Sequence, residues 1–326
     1  MPTSLSCLVA DIGGTNARLA IARISDAGVC LAHPISLRCH DFLRAEDAID
    51  RYLQLAGIAE PPPAAVLAVA GPVEDGMAVS TNGAWRLSEA SLKLHGFCSV
   101  RLINDYTALA LAAPQLRAED LAQIGPHLIR RSDESVAVLG AGTGFGVSSL
   151  ARGTGGQAAI ATEGGHAAFA PTDEVEIDIL RLLGQRFGRV SIERLLSGPG
   201  LINLRDVLAQ IGGAPADPLS PEEIVTRAVT GRDRLCVDTL DRFCGIYGHV
   251  AGDTALMLGA RGGVYLGGGI APGIVDYLRA SSFRRRFEAK GRFESYLAAI
   301  PTHVIMHPYA ALLGAAAVFP AGDTDL

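Results

Sequence analysis

Lysine is almost missing from this chain. Among 326 residues only Lys93 and Lys290 carry it, so arginine supplies nearly all of the positive charge. A P-loop needs lysine directly after glycine, whereas Leu92 and Ala289 precede the two lysines here. A nucleotide handled by this protein is therefore handled without a P-loop. Charge of any sign is sparse, 19% of residues with a net charge of −6, which excludes the basic surface that a nucleic-acid partner requires. Long apolar runs are lacking too. Stretches such as Ala64–Ala70 and Ala310–Phe319 fall far short of the ~20 residues of a membrane span. The opening Met-Pro-Thr-Ser-Leu-Ser has neither the basic start nor the apolar core of a signal peptide. The expectation is a cytoplasmic protein with no membrane partner. Its six cysteines form no C-x-x-C pair and no zinc-like cluster, and read as buried small hydrophobes in a reducing compartment. What is present is apolar bulk: 49% hydrophobic residues and a mean hydropathy of +0.28. That suits a folded globular chain, and its length suits about two domains.

Strand-like and helix-like stretches alternate. Ser6–Ile12 and Ala17–Ala22 flank a Gly-Gly turn and read as a β-hairpin. A helical stretch, Phe42–Ile58, runs up to Pro61-Pro62-Pro63, and Val66–Ala70 is a buried strand. Val100–Ile103 is a strand that hands over at Asn104-Asp105 to an Ala/Leu-rich helix, Tyr106–Ala113. Ser135–Leu139 and Phe145–Leu150 flank a second glycine turn, a weak internal echo of the first hairpin. Helices follow: Asp173–Leu183 with acids in its first turn, one opened by the capping signal Ser220-Pro221-Glu222-Glu223, and a long amphipathic one through Cys236, Leu240, Phe243, Tyr247 and Val250. Gly263–Leu266 and Val304–Met306 read as strands, and Ala271–Arg279 and Ala310–Val318 as helices. The alternation implies layered α/β architecture, with a domain break near Pro114.

Each glycine-rich or charged motif has a plain reading and a chemical one. Asp11-x-Gly13-Gly14-Thr15 is either an ordinary hairpin turn or a nest of backbone N–H groups for an anion, with Asp11 placed to hold hydrated Mg²⁺. Gly140-x-Gly142-Thr143-Gly144-x-Gly146 is a flexible turn or a second phosphate cradle, and the strict dinucleotide spacing G-x-G-x-x-G occurs nowhere. Asn104-Asp105 is a helix cap or a carboxylate at a strand's C-terminal end, placed to act as general base. Glu163-Gly164-Gly165-His166 must turn, since two glycines disfavour a helix, and offers sugar hydroxyls a carboxylate and an imidazole. Glu193, on a helix-like run, reads by itself as a surface acid. Gly267-Gly268-Gly269 is a loose turn or a place for close approach by a flat ligand such as adenine. His33, His40, His95, His249 and His303 carry no partner pattern.

The order of these motifs is more specific than any one of them. The chain resembles the actin-like ATPase/sugar kinase superfamily and, within it, the bacterial glucokinase family, over nearly its full length. The resemblance is carried by Val9-Ala-Asp-Ile-Gly-Gly-Thr-Asn-Ala-Arg18, Ala70-Gly-Pro-Val73, Ile103-Asn-Asp-Tyr-Thr-Ala108, Gly140-Ala-Gly-Thr-Gly144, Glu163-Gly-Gly-His166, Glu193-Arg-Leu-Leu-Ser-Gly-Pro-Gly200 and Leu266-Gly-Gly-Gly-Ile270. It implies a two-domain α/β fold of the actin-like ATPase (ribonuclease H-like) sugar-kinase type with an interdomain cleft. A small domain would span 1–115, with a C-terminal helix of about 309–326 returning to it, and a large domain would span 116–308. It implies transfer of phosphate from ATP to the 6-hydroxyl of glucose, with Mg²⁺, in a cytoplasmic and often dimeric enzyme. By the same resemblance Asp105 is the catalytic base, and Asn104, Asp105, Glu163, His166 and Glu193 hold glucose. Ala10, Asp11, Ile12, Gly13, Gly14 and Thr15 join Gly142, Thr143 and Gly144 as phosphate loops. Gly267, Gly268 and Gly269 meet the adenosine, and Asp11 meets Mg²⁺ through water.

Tyr106 where phenylalanine is common, Ala141 where proline is usual, and Pro308-Tyr309-Ala310 depart from the family pattern. The zinc-binding cysteines of the neighbouring ROK sugar kinases are absent. Another hexose, or polyphosphate as donor, stays open. A non-catalytic actin-fold ATPase would lack Glu163, His166 and Glu193. A sugar-responsive DNA-binding regulator would need a helix-turn-helix ahead of a first strand that begins near residue 6.

Overall fold

The computed structural model describes residues 5–25, 28–80, 85–215 and 217–319. It divides into two compact units: one takes the residues up to Arg117 together with those from His307 onward, the other Ala118–Met306. The divide falls after Arg117, near the expected break at Pro114.

In the first unit β1 (Leu5–Ile12) and β2 (Asn16–Ser25) form the expected hairpin, and β3 (Gly28–Arg38) adds a third strand. After α1 (Ala45–Ala56) come β4 (Ala64–Val69), a small sheet of β5 (Val73–Glu74), β6 (Met77–Val79) and β7 (Arg86–Ser88), then α2 (Glu89–Leu94), β8 (Ser99–Asn104) and α3 (Asp105–Ala112). The main sheet runs β3-β2-β1-β4-β8, with β1, β4 and β8 parallel. Alternation sorts its side chains. Leu8, Ala10, Leu19, Leu67 and Leu102 face a core with Ile49, Tyr52 and Trp85, while Cys7, Val9, Ala20 and Val66 face the opposite side.

In the second unit the sheet comprises β9 (Leu121–Ile124), β10 (Val136–Ala141), β11 (Phe145–Gly153), β12 (Gly156–Thr162), β13 (Gly263–Gly267) and β14 (Thr302–Ile305). Its order is β12-β11-β10-β13-β14-β9. Apart from β9 this repeats the first sheet: two antiparallel strands lead into three parallel ones. The faint echo of glycine hairpins in the sequence is thus a repeated sheet. The helices are α4 (Glu174–Phe187), α5 (Gly198–Ile211), α6 (Pro221–Val229), α7 (Arg234–Leu258), α8 (Ile270–Gly273), α9 (Val275–Ala280), α10 (Phe283–Glu288) and α11 (Glu294–Ala298). Central α7 sets Tyr247 edge-on to Phe145 and Phe283, at 5.7 and 5.6 Å. The Tyr247 hydroxyl donates to the Leu139 carbonyl at 3.3 Å. Among the described residues no helix is long and apolar enough to cross a membrane.

The last helix, α12 (Ala310–Ala316), belongs to the first unit. Leu312, Ala315, Ala316 and Phe319 cover Cys7, Val9, Ala20 and Val66. It also packs on α3 so closely that a methyl at Gly314 would overlap the Ala108 carbonyl. Residues 320–326 of the expected C-terminal helix lie outside the described residues.

Several local expectations are corrected. The first helix stops at Gly57, whose left-handed φ of 67° forms the C-cap, and not at the prolines. The stretch expected as one helix breaks at Ile274, whose φ of −124° and ψ of 22° lie outside the helical region, and so forms α8 and α9. Strands β3 and β12 carry no signal in the sequence, because these edge strands lack a buried face to impose alternation. Cys7, Cys39, Cys236 and Cys244 are buried, but Cys30 and Cys98 are exposed.

Candidate active site

Parallel strands present their C-terminal ends on one edge, and α/β folds use that edge for chemistry. In the first unit Ile12 pairs with Val69, and Val69 with Asn104, which aligns the Asp11–Thr15 turn, the Ala70-Gly71 turn and Asn104-Asp105. The Gly13 N–H donates to the Asn16 carbonyl at 3.0 Å and closes the turn. Thr15, exposed at its tip, accepts the Cys39 N–H at 2.9 Å through its carbonyl. Asp11 lies across the hairpin from Arg18, whose Nη1 donates to Asp11 Oδ2 at 3.0 Å. Burial pushes the Asp11 carboxyl up, and the Arg18 charge and hydrogen bond oppose that push.

Asn104 does cap α3. Its Oδ1 accepts from the Tyr106 and Thr107 N–H groups at 2.9 and 3.2 Å, and its Nδ2 donates to the Gly71 carbonyl at 3.2 Å. The cap thereby ties the start of α3 to the Ala70-Gly71 turn. Asp105 opens the helix half-buried, with Oδ1 accepting from the Tyr106 N–H at 3.0 Å.

In the second unit the Gly142–Gly144 turn follows β10, and the glycine run follows the adjacent parallel strand β13. Gly268 sits at φ +77°, and a methyl there would overlap the Ala141 carbonyl, so the two turns touch through backbone. Glu163 and His166 are brought together by a short 3₁₀ turn, Gly164–His166, and both side chains are exposed. Gly165 is buried against the Phe145 carbonyl. Glu193 corrects its plain reading as a surface acid: it lies half-buried on the turn Ile192–Arg194, and its Oε2 accepts the Phe145 N–H at 2.9 Å. The stretches after His166 and before Glu193 run side by side, with Ile192 N–H on the Ala167 carbonyl at 3.0 Å. Second-loop residues, glycine run, His166 turn and Glu193 thus meet around Ala141–Phe145.

Three contributors were not singled out from the sequence. Arg189 donates to the His166 carbonyl at 2.6 Å, and the Phe145 amide holds Glu193; neither has a spacing signal. Arg18 did have one, since hairpin register places it opposite Asp11. Of the two lysines, Lys290 is committed elsewhere, with Nζ at 2.7 Å from Asp253 and from His249.

A family model described as Glucokinase matches residues 8–321. The chain belongs to the glucokinase family. It is an enzyme, a sugar kinase of the actin-like ATPase fold, and its reaction is ATP-dependent phosphorylation of glucose. A glucokinase from Caulobacter sp. (strain K31) is 54% identical over 310 residues, covering 95% of this chain and 93% of its own. The crystal structure of a glucokinase from an Antarctic psychrotroph superposes with a TM-score of 0.87 at 35% identity, covering 96% of this chain and 98% of its own. A ROK-family glucokinase from Streptomyces griseus, solved with glucose and AMPPNP, shares the fold at a TM-score of 0.64 and 19% identity, covering 96% and 98%.

Proposed function

We propose that the chain transfers the γ-phosphoryl group of ATP to the 6-hydroxyl of D-glucose, with Asp105 taking the hydroxyl proton. Asn104, Asp105, Glu163, His166 and Glu193 hold the sugar. Ala10–Thr15 and Gly142–Gly144 receive the phosphates, and Gly267–Gly269 receive the adenosine. The observation that supports this most is the meeting of phosphate turn, glycine run and both sugar motifs around Ala141–Phe145. Phosphate binding then falls to backbone N–H groups and the Thr15 and Thr143 hydroxyls, where other nucleotide sites use lysine.

Phosphoryl transfer has a loose transition state, so the protein's work is mainly placement and electrostatics. Placing two substrates is worth ~7–11 kcal/mol, and a general base adds about 10²–10⁴-fold. The exposed Glu163 and His166 suit neutral hydroxyls, which need acceptors and donors rather than fixed charge pairs. Mg²⁺ fits this donor set. Among the described residues no group of three or more His, Cys, Asp or Glu forms a metal cage. Mg²⁺ needs none, because it keeps its waters and leans on one carboxylate and the substrate phosphates. With Oδ2 of Asp11 engaged by Arg18, its other oxygen would meet the hydrated ion, which would neutralise charge on the phosphates.

The test is ATP consumption with glucose, mannose, fructose and N-acetylglucosamine in parallel, and polyphosphate in place of ATP. Turnover is expected with glucose and ATP; turnover on none of the sugars overturns the reading. It also takes over from the family a cytoplasmic location and a homodimer, open to fractionation and light scattering.

A further inference from the structure

The second phosphate turn and the sugar ligand Glu193 share a single backbone amide. Phe145, the first residue of β11, donates its N–H to Glu193 Oε2 at 2.9 Å. The residue before it is glycine for a reason unrelated to backbone conformation. Gly144 lies outside the left-handed region, yet a methyl on it would stand 2.5 Å from Glu193 Oε2. The main chain is tied at the same place. Gly198 donates its N–H to the Gly142 carbonyl at 2.8 Å, and the Ser197 hydroxyl donates to the Glu193 carbonyl at 2.8 Å.

We propose that the second phosphate turn also sets the glucose site, with Gly144 and Phe145 as positioning residues for the Glu193 carboxylate. This rests on the assignment of Glu193 to the sugar. One carboxylate oxygen is pinned by a charge-assisted hydrogen bond from the Phe145 amide, and the other is aimed at a sugar hydroxyl. Fixing that rotamer in advance removes an ordering cost from glucose binding. Gly144 supplies the room in which the carboxylate lies. Whatever shifts this turn therefore shifts glucose affinity, with no nucleotide present. By linkage, a nucleotide phosphate that adjusts the turn changes glucose affinity by the factor that glucose returns to the nucleotide.

The experiment compares wild type, Gly144→Ala, Glu193→Ala and the double variant. Glucose Kd is measured calorimetrically without nucleotide, and melting curves check the fold. Because the atom a methyl would strike is the end of a flexible side chain, the carboxylate moves and the chain folds. Gly144→Ala is expected to weaken glucose about 10- to 100-fold, the scale of a lost charged hydrogen bond. In the double variant the glucose Kd is expected to equal that of Glu193→Ala, since no carboxylate is left to displace. An unchanged nucleotide-free Kd in Gly144→Ala, or losses that simply add, overturns the proposal while leaving Glu193 as a sugar ligand. An unchanged Kd in Glu193→Ala removes Glu193 from the sugar site and the proposal with it. Should Gly144→Ala fail to fold, Glu193→Asp replaces it. The shorter side chain withdraws the carboxylate from the Phe145 amide, and glucose Kd is expected to rise as far as in Glu193→Ala. Wild-type affinity in Glu193→Asp overturns the proposal.

Discussion

Asn104 serves α3 and the neighbouring Gly71 turn with opposite ends of one amide. Its oxygen caps the helix that presents Asp105, and its nitrogen holds the Gly71 turn. A helix cap and a general base are the two readings that the Asn-Asp pair allows, and the structure makes the cap part of how Asp105 is presented. Asn104→Ala is expected to cost about 1 kcal/mol of stability in denaturant titration. Asn104→Asp, which keeps the capping oxygen but loses the donor to Gly71, is expected to recover most of that stability. Asp105→Asn is expected to lose about 10²–10⁴-fold in turnover, with glucose Kd close to wild type by calorimetry. Near wild-type turnover would remove Asp105 from the role of base.

At the level of elements, an ion-pair network fastens the segment that leaves the His166 turn. Glu176 on α4 is fully buried and accepts from the Thr172 N–H at 2.8 Å. Arg286 of α10 and Arg242 of α7 pair with it, and Arg242 also meets Asp173. Burial alone would push the Glu176 carboxyl up, but hydrogen bonds from Arg286 and Thr172 and the Arg286 charge bring it down to about 2. A lowered folded pKa stabilises at pH above the unfolded value of 4.5, and that stability is lost as pH falls from about 4.5 to about 2. Acid titration followed by circular dichroism should show this loss, and Glu176→Gln should flatten it. Glu176→Ala, which takes the carboxylate from partly buried Arg286 while Arg242 keeps Asp173, is expected to cost about 1–3 kcal/mol. The packing of α12 on α3 offers a second check. Gly314→Ala forces the helices apart at the Ala108 carbonyl, and a clearly lower melting temperature is expected, with reduced turnover because α3 carries Asp105.

For the molecule as a whole, one sheet pattern is used twice, and chain order does not follow unit order. Residues from His307 onward complete the unit that begins with β1. A chain ending at Met306 would leave Cys7, Val9, Ala20 and Val66 without Leu312, Ala315, Ala316 and Phe319 above them. Such a truncation is expected to aggregate or to lose its cooperative melt, since an uncovered apolar sheet face is not stable in water. A truncated protein with the wild-type melting temperature would show that α12 contributes little.

Local chemistry was readable in advance wherever it is local. The two glycine turns, the Asn-Asp handover, the Ser220 capping box and the long α7 pattern depend on neighbours a few residues apart, and residue type with spacing specifies them. The lysine scarcity excluded a P-loop for the same reason. Edge strands β3 and β12 were not readable, because without a buried face nothing forces their residues to alternate. Nor was the setting of Glu193, an unremarkable acid on a short turn. Its partner Phe145 lies 48 residues away in the chain and offers only a backbone amide, which every non-proline residue has. Folding brought these two groups together, and with them a glycine whose absent side chain leaves the carboxylate its place.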